Sequence, residues 1–244
     1  MPDAITPEER RRYARQMMLR GIGTEGQQKL KSARVVVVGA GGLGSPVLQY
    51  LVGAGIGHIT LIDPDTVSES NLHRQVIHAS TAIGQAKVES AKTFAAGLNR
   101  WTEIEPIQAL ASAATLRPCL QDADLLLDCT DNVESRRACV AASAGVCPLI
   151  IGAAIAFDGF VTVVPADADG KAVLDALYPG EPEPGDTCEM LGVLGPIVGV
   201  IGAVMATEAI KLLAGFGTSL AGRALFFGAQ NSSFMELELL PRAA

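Results

Sequence analysis

Residues suited to chemistry fall in four stretches of the 244-residue chain. The first is Gly39-Ala40-Gly41-Gly42-Leu43-Gly44, directly after Arg34-Val35-Val36-Val37-Val38. Gly39, Gly41 and Gly44 fit a Gly-x-Gly-x-x-Gly turn, which lets phosphate approach backbone N–H groups at a helix N-terminus. The second is Asp63, 19 residues after Gly44, closing the run His58-Ile59-Thr60-Leu61-Ile62. A carboxylate at that strand end can accept both ribose hydroxyl protons. These two stretches predict a nucleotide site without choosing between a nicotinamide dinucleotide and ATP.

The other two stretches favour ATP. Ser70-Asn71-Leu72-His73-Arg74-Gln75 is followed by Gly84-Gln85-Ala86-Lys87-Val88-Glu89-Ser90-Ala91, and later by Asp128-Cys129-Thr130-Asp131-Asn132. Hydride transfer needs no such collection of cations and amides. Attack of a carboxylate on the α-phosphate does, because charge builds on the phosphate and pyrophosphate must be neutralised as it leaves. Arg74 and Lys87 are suitable cations. Asp131 lies just past a strand's C-terminal end, where open α/β sheets bind ligands, and is a candidate oxygen ligand for Mg²⁺. Taken singly, each has a plain structural explanation: a lysine on a solvated helix face, an arginine in a surface ion pair, an aspartate as turn or cap. Their order along one chain is harder to explain that way.

The elements around these residues alternate. Strands are predicted at 34–38, 58–62, 103–108, 125–127 and 148–151, with helices at 44–54, 84–98, 112–121 and 133–145 between them. That alternation predicts an α/β fold with a doubly wound, Rossmann-like, mainly parallel sheet. A helical N-terminal arm, 6–32, precedes it, with Thr6 as N-cap, Pro7 in the first turn and Glu9 completing a capping box. After about residue 153 come a strand at 159–164, an irregular loop at 165–190, an apolar helix from 191, and two strands near 223–229 and 233–240. These last read as an antiparallel C-terminal extension. The expected organisation is a single domain over 1–244, with a nucleotide-binding half at 33–153 and a partner-binding half at 154–244.

With these motifs in hand, the chain resembles the MoeB/ThiF family, bacterial relatives of ubiquitin-activating enzymes. The resemblance runs from Arg12-Tyr13-Ala14-Arg15-Gln16 through Gly-x-Gly-Gly-Leu-Gly, Ser-Asn-Leu-x-Arg-Gln, the lysine motif at Lys87 and Asp-Cys-Thr-Asp-Asn to the terminal strands. It implies ATP- and Mg²⁺-dependent adenylation of the C-terminal Gly-Gly of a ubiquitin-like sulfur-carrier protein by a homodimer. It further implies Gly42 against the phosphates and Asp63 on the ribose. Ser70, Asn71 and Arg74 would line the triphosphate path beside Lys87, with Asp131 on the metal and Asn132 bordering the pocket. Arg15 matches an arginine that reaches the neighbouring subunit's ATP, and its plainer reading is an ion pair on the arm. Cys188 matches the cysteine of the crossover loop at about 165–190, which in ThiF-type proteins can link covalently to the carrier. A sulfurtransferase or cysteine desulfurase is a further possible partner. The lysine motif points to the MoeB branch serving molybdopterin synthesis. The near alternatives are the ThiF branch of thiamine synthesis and a specialised-metabolite carrier. An NAD-dependent oxidoreductase and a non-catalytic ubiquitin-fold binder are rivals of other classes.

The chain departs from the family at one point. Most relatives hold a structural zinc with two Cys-x-x-Cys pairs. Here Val173 and Ala176 stand where the first pair falls, and the chain ends at Pro241-Arg242-Ala243-Ala244 without the second. No zinc is expected.

Composition adds bounds. A net charge of −7 and a pI near 5.0 argue against a non-specific nucleic-acid binder. Five cysteines, Cys119, Cys129, Cys139, Cys147 and Cys188, include no Cys-x-x-Cys pair, and the N-terminus has no apolar signal-like core. These features predict reduced thiols and a cytoplasmic protein. The uncharged stretch Leu191–Thr207, closed by Glu208 and Lys211, reads as a buried helix about one turn too short to span a membrane.

Overall fold

A computed structural model describes residues 4–178 and 192–239. The expected capping box opens α1 (Pro7–Arg12): Thr6 Oγ1 accepts the Glu9 amide, and Glu9 Oε2 accepts the Thr6 amide. The arm is not one helix. It divides into α1, α2 (Ala14–Met17) and α3 (Gly23–Ser32). The first break is at Tyr13, whose ring is buried over Gly55 and whose hydroxyl accepts Asn99 Nδ2 at 2.8 Å. Anchoring that ring takes precedence over continuing the helix.

The arm leads into β1 (Arg34–Val38), α4 (Gly44–Ala54) and β2 (His58–Ile62). Then come α5 (Lys87–Leu98), β3 (Glu103–Ile107), α6 (Ala113–Leu120), β4 (Leu125–Asp128), α7 (Val133–Ser143) and β5 (Leu149–Ile155). Four consecutive valines are an unbroken apolar run because β1 is covered on both faces. Val35 and Val37 join Leu125, Leu127 and α4 in one apolar layer. Val36 and Val38 join Leu126, Leu116 of α6 and Cys139 of α7 in the other. Each such side chain contributes about 1.5–3 kcal/mol by leaving water.

The chain continues through β6 (Asp158–Val164), α8 (Gly170–Leu177), α9 (Gly195–Ala214), β7 (Arg223–Gly228) and β8 (Ser233–Glu238). One eight-stranded sheet results, in the order β3-β2-β1-β4-β5-β6-β7-β8. The first five positions are parallel, and β6, β7 and β8 are antiparallel additions. The doubly wound sheet with its antiparallel extension is as the sequence predicts.

Two expectations are corrected. The stretch 165–190 is not irregular throughout: α8 forms within it, because Asp169 caps the amides of Lys171 and Ala172 and Val173 is 0% exposed in the α6–α7 layer. Residues 179–190 lie outside the described residues. The apolar helix does not end at Thr207. Glu208 and Lys211 lie inside α9 and pair with each other, while Glu208 Oε2 accepts the Leu220 amide at 2.8 Å. Gly215, at φ +79, terminates the helix instead. At 20 residues α9 is long and apolar enough to cross a membrane, but it packs along α3, α4, β5 and β6.

Candidate nucleotide site

The chain leaves β1 toward β2 on one side, and returns through β4 toward β5 on the other. The crevice beyond the C-terminal ends of β1 and β4 is therefore the topological switch point. The glycine loop and the Asp131 loop meet there. Gly39 has φ +99, and a Cβ on it would fall 2.8 Å from the Cys129 carbonyl oxygen. A Cβ on Gly44 would fall 2.0 Å from the Gly39 carbonyl oxygen, so the turn can close only on glycine. Gly42 packs on Val198 of α9, and Gly41 faces the amide of Gln75. The N-terminus of α4 thus opens on the crevice, with the dipole polarity that favours phosphate.

Asp63 is buried beneath this loop. Its Oδ2 accepts the Ala40 amide at 2.7 Å and its Oδ1 accepts the Asp65 amide at 2.8 Å. Burial raises its pKa above the ordinary carboxylate value, against the pull of Lys87 and the two amides. Lys87 begins α5 and is only 6% exposed, with Nζ 2.8 Å from Asp65 Oδ2. It is not the solvated-face lysine that a helix position alone suggests. Ser70 lies in the short 3₁₀ turn Glu69–Asn71, with its hydroxyl 3.1 Å from that of Ser68. The Asn71 carbonyl accepts the amides of Arg74 and Gln75, and Arg74 Nη1 donates to the Ser70 carbonyl and to His73 Nε2. Close packing of Gly195 on the His73 carbonyl sets this turn over the start of α9.

On the other wall, Asn132 Oδ1 caps α7 by accepting the Ser135 amide at 2.8 Å. Asp131 is exposed and has no hydrogen bond or ion pair among the described residues. Behind them lies a buried ion pair that reading the sequence missed. Asp128 Oδ2 accepts Arg136 Nε at 2.8 Å, and Asp128 Oδ1 accepts both the amide and the hydroxyl of Thr130. Arg136 also donates to the carbonyls of Thr130 and Gly152, each at 2.8 Å, and to the Tyr178 hydroxyl. The available signal was a charge on the α7 face that carries Cys139 and Val140 three and four residues on. Two further residues were missed, Gln75 and His78. Gln75 Oε1 is buried without a hydrogen-bond partner among the described residues, and His78 touches the glycine loop directly.

Two expected site residues stand apart from this description. Cys188 lies outside the described residues. Arg15 sits on α2, exposed, and forms no ion pair or hydrogen bond among the described residues. Its neighbour Gln16 donates to the Ala54 carbonyl at the far end of α4, at 3.0 Å. A separate cavity of about 250 Å³, lined in part by Arg34, His58, Glu105 and Cys119, shares no residue with the crevice.

The doubly wound sheet, the glycine turn, and Lys87 paired with Asp65 beside the buried Asp63 form a crevice whose chemistry suits a nucleotide. Residues 13–244 match the ThiF family model, and the chain belongs to the ThiF family. It is 42% identical over 240 residues to the molybdopterin-synthase adenylyltransferase of Escherichia coli (strain K12), covering 97% of this chain and 95% of that protein. It is 40% identical over 227 residues to the SAMP-activating enzyme E1 of Haloferax volcanii, covering 91% of this chain and 83% of that one. Among solved structures it is similar to that of E. coli MccB with ATP. The TM-score is 0.75 at 22% identity, covering 98% of this chain and 74% of that one, a likeness of fold.

Proposed function

We propose that this chain is a MoeB-like adenylyltransferase that activates the C-terminal glycine of a ubiquitin-like sulfur carrier with ATP. The observation that carries the reading is Lys87, a buried ammonium at the switch-point crevice, held by Asp65 and adjoining Asp63. A dehydrogenase has no use for a buried cation there, whereas phosphoryl chemistry does. Similarity to proteins named as adenylyltransferases supports the same reading.

In the proposed reaction a carboxylate oxygen of the carrier's terminal glycine attacks the α-phosphorus of ATP. The bond from that phosphorus to the bridging oxygen breaks, and the electron pair leaves with pyrophosphate. The product is a carrier acyl-adenylate. Asp63 has about four lone-pair sites on its two oxygens, and the two amide donors leave room for two ribose hydroxyls. The Gly41 and Gly42 amides face the phosphates, while Arg74 and Lys87 take up the developing charge. Asp131 is an exposed hard-oxygen donor at the crevice and suits Mg²⁺ that keeps most of its waters. When bound there, the ion would supply neutralisation of the departing pyrophosphate. The partner-binding half, 154–244, would receive the carrier, with Cys188 available to later sulfur chemistry and a sulfurtransferase as a further partner. The protein would work in the cytoplasm as a homodimer.

Lys87→Ala and Asp131→Ala test this directly. Both should abolish carrier-dependent ATP–pyrophosphate exchange while circular dichroism and urea midpoints confirm an intact fold. Exchange at the wild-type rate in both variants overturns the assignment.

A further inference from the structure

His78 lies between the Arg74 turn and α5, and is only 7% exposed. Its Nε2 is 2.8 Å from the Ala40 carbonyl oxygen and its Nδ1 is 2.9 Å from Ser90 Oγ. A carbonyl only accepts, so Nε2 carries the proton. Nδ1 is then the acceptor for the Ser90 hydroxyl. Ser90 stands three residues after Lys87 on α5, so the two share a helix face. The imidazole therefore ties the glycine loop to the helix that carries the buried cation.

The His78 contact falls on the Ala40–Gly41 peptide plane. Asp63 holds the Ala40 amide of the preceding plane, and His78 holds the Ala40 carbonyl of this one. In a planar trans peptide the C=O of Ala40 and the N–H of Gly41 point in opposite directions. Drawing the carbonyl inward to a buried imidazole aims the Gly41 N–H outward. No described group accepts from that N–H. Without His78 this carbonyl would be a buried acceptor lacking its donor, and the peptide could rotate to find another. Each such rotation would withdraw the Gly41 donor from an incoming phosphate.

We propose that His78 is a positioning residue that fixes the Ala40–Gly41 peptide and so presents the Gly41 N–H to a phosphate of the nucleotide. The phosphate part of this role rests on the nucleotide reading above. Setting the peptide does not.

Two substitutions in the full chain separate the contacts. In His78→Gln the side-chain amide reaches about as far as Nε2 and keeps an N–H for Ala40. In His78→Asn it ends near Nδ1 and leaves the Ala40 carbonyl without a donor. The Asn variant should raise Kd and KM for ATP by roughly tenfold or more, the loss expected for one hydrogen bond to a charged group. Its kcat should fall far less. The Gln variant should restore both constants to within a few-fold of wild type. A merely space-filling histidine gives equal losses in the two variants and no rescue, which overturns the proposal, as does an Asn variant that binds ATP normally. The ¹⁵N–¹H resonance of the Gly41 amide, on the peptide whose carbonyl His78 holds, supplies a readout that needs no nucleotide. It should stay near its wild-type position in Gln and move in Asn. Equal shifts in both overturn the positioning role even if the wild-type protein binds no ATP, an outcome that would separately defeat the proposed function.

Discussion

Arg136→Met should be among the most damaging single substitutions outside the crevice. The guanidinium is only 4% exposed and Asp128 is 0% exposed. Four polar groups accept from that guanidinium, namely Asp128 Oδ2, the Thr130 and Gly152 carbonyls and the Tyr178 hydroxyl, while the Thr130 hydroxyl donates to Asp128 Oδ1. A methionine of similar length fills the space but donates nothing. The Asp128 carboxylate is then buried with only the Thr130 donors. Removing one partner of a buried pair costs about 3–5 kcal/mol, against roughly 5–15 kcal/mol for the total stability of a typical domain. Neutralising the stranded charge should recover part of this loss. The Asp128→Asn, Arg136→Met double variant is expected to be more stable than additivity predicts by about 1–3 kcal/mol. Urea unfolding of wild type, both singles and the double variant measures the cycle. Pyrophosphate exchange, measured where the fold is intact, should also fall in Arg136→Met, because the Thr130 carbonyl that fixes the approach to Asp131 is released. A single-variant loss below about 1 kcal/mol, or strict additivity, would refute the account of this cluster.

Asp63→Asn should weaken ATP binding roughly ten- to hundredfold, because hydrogen bonds to a charged acceptor are stronger than those to an amide. Calorimetry showing unchanged affinity would remove Asp63 from the ribose. Burial lowers the His78 pKa from its ordinary 6.5, with Lys87 acting in the same direction and Asp63 and the Ala40 carbonyl opposing. The unfolded chain therefore takes up this proton first as pH falls. The contribution of His78 to stability is complete above about pH 6.5, declines below it and levels off under the folded pKa. Thermal midpoints should fall less steeply between about pH 7 and 5 in His78→Gln than in wild type, and parallel slopes would contradict this. Val173 is buried among apolar side chains where relatives are expected to place a zinc cysteine. The purified protein should carry no stoichiometric zinc and withstand chelators, and one zinc per chain by elemental analysis would overturn that expectation.

The fold was legible where one local signal sufficed. Four valines before a glycine turn required a central strand, and the Thr6–Glu9 box fixed a helix start. It was less legible where tertiary contacts decided the outcome. Tyr13 breaks the arm because of Asn99 and Gly55, which are far away in sequence. Glu208 reads as a helix terminator, yet stays inside α9 because Leu220 offers its amide. The site divides in the same way. Glycines and strand-end aspartates announce themselves by spacing, so Gly39, Gly44 and Asp63 stand out in the sequence as candidates. Their supports do not. Arg136 and His78 act through carbonyls of Thr130, Gly152 and Ala40, and a backbone acceptor leaves no trace in side-chain identity.

Arg15 is the residue whose proposed role the single chain cannot satisfy. Its neighbour Gln16 is fixed to the Ala54 carbonyl, the C-terminal end of α4, whereas the phosphate loop opens at Gly44. Eleven residues of helix separate the two ends by about 16 Å. Arg15 has no partner among the described residues, and Met18 and Leu19 beside it are exposed apolar side chains. If an arginine so placed serves ATP at all, it does so across a subunit interface, and complementation decides the matter. In a mixed dimer of Arg15→Ala and Lys87→Ala chains, a shared site joins Lys87 of one chain to Arg15 of the other. One of its two sites is then doubly defective and the other fully wild type. Equal mixing and random reassociation should place about half of the chains in such dimers, restoring about a quarter of wild-type exchange from two nearly inactive preparations. If Arg15 acted within its own chain, every site in every dimer would keep one defect, and mixing would restore nothing. Absence of recovery, with subunit exchange confirmed by mass spectrometry of differently labelled chains, would return Arg15 to an ordinary place on the surface of the arm.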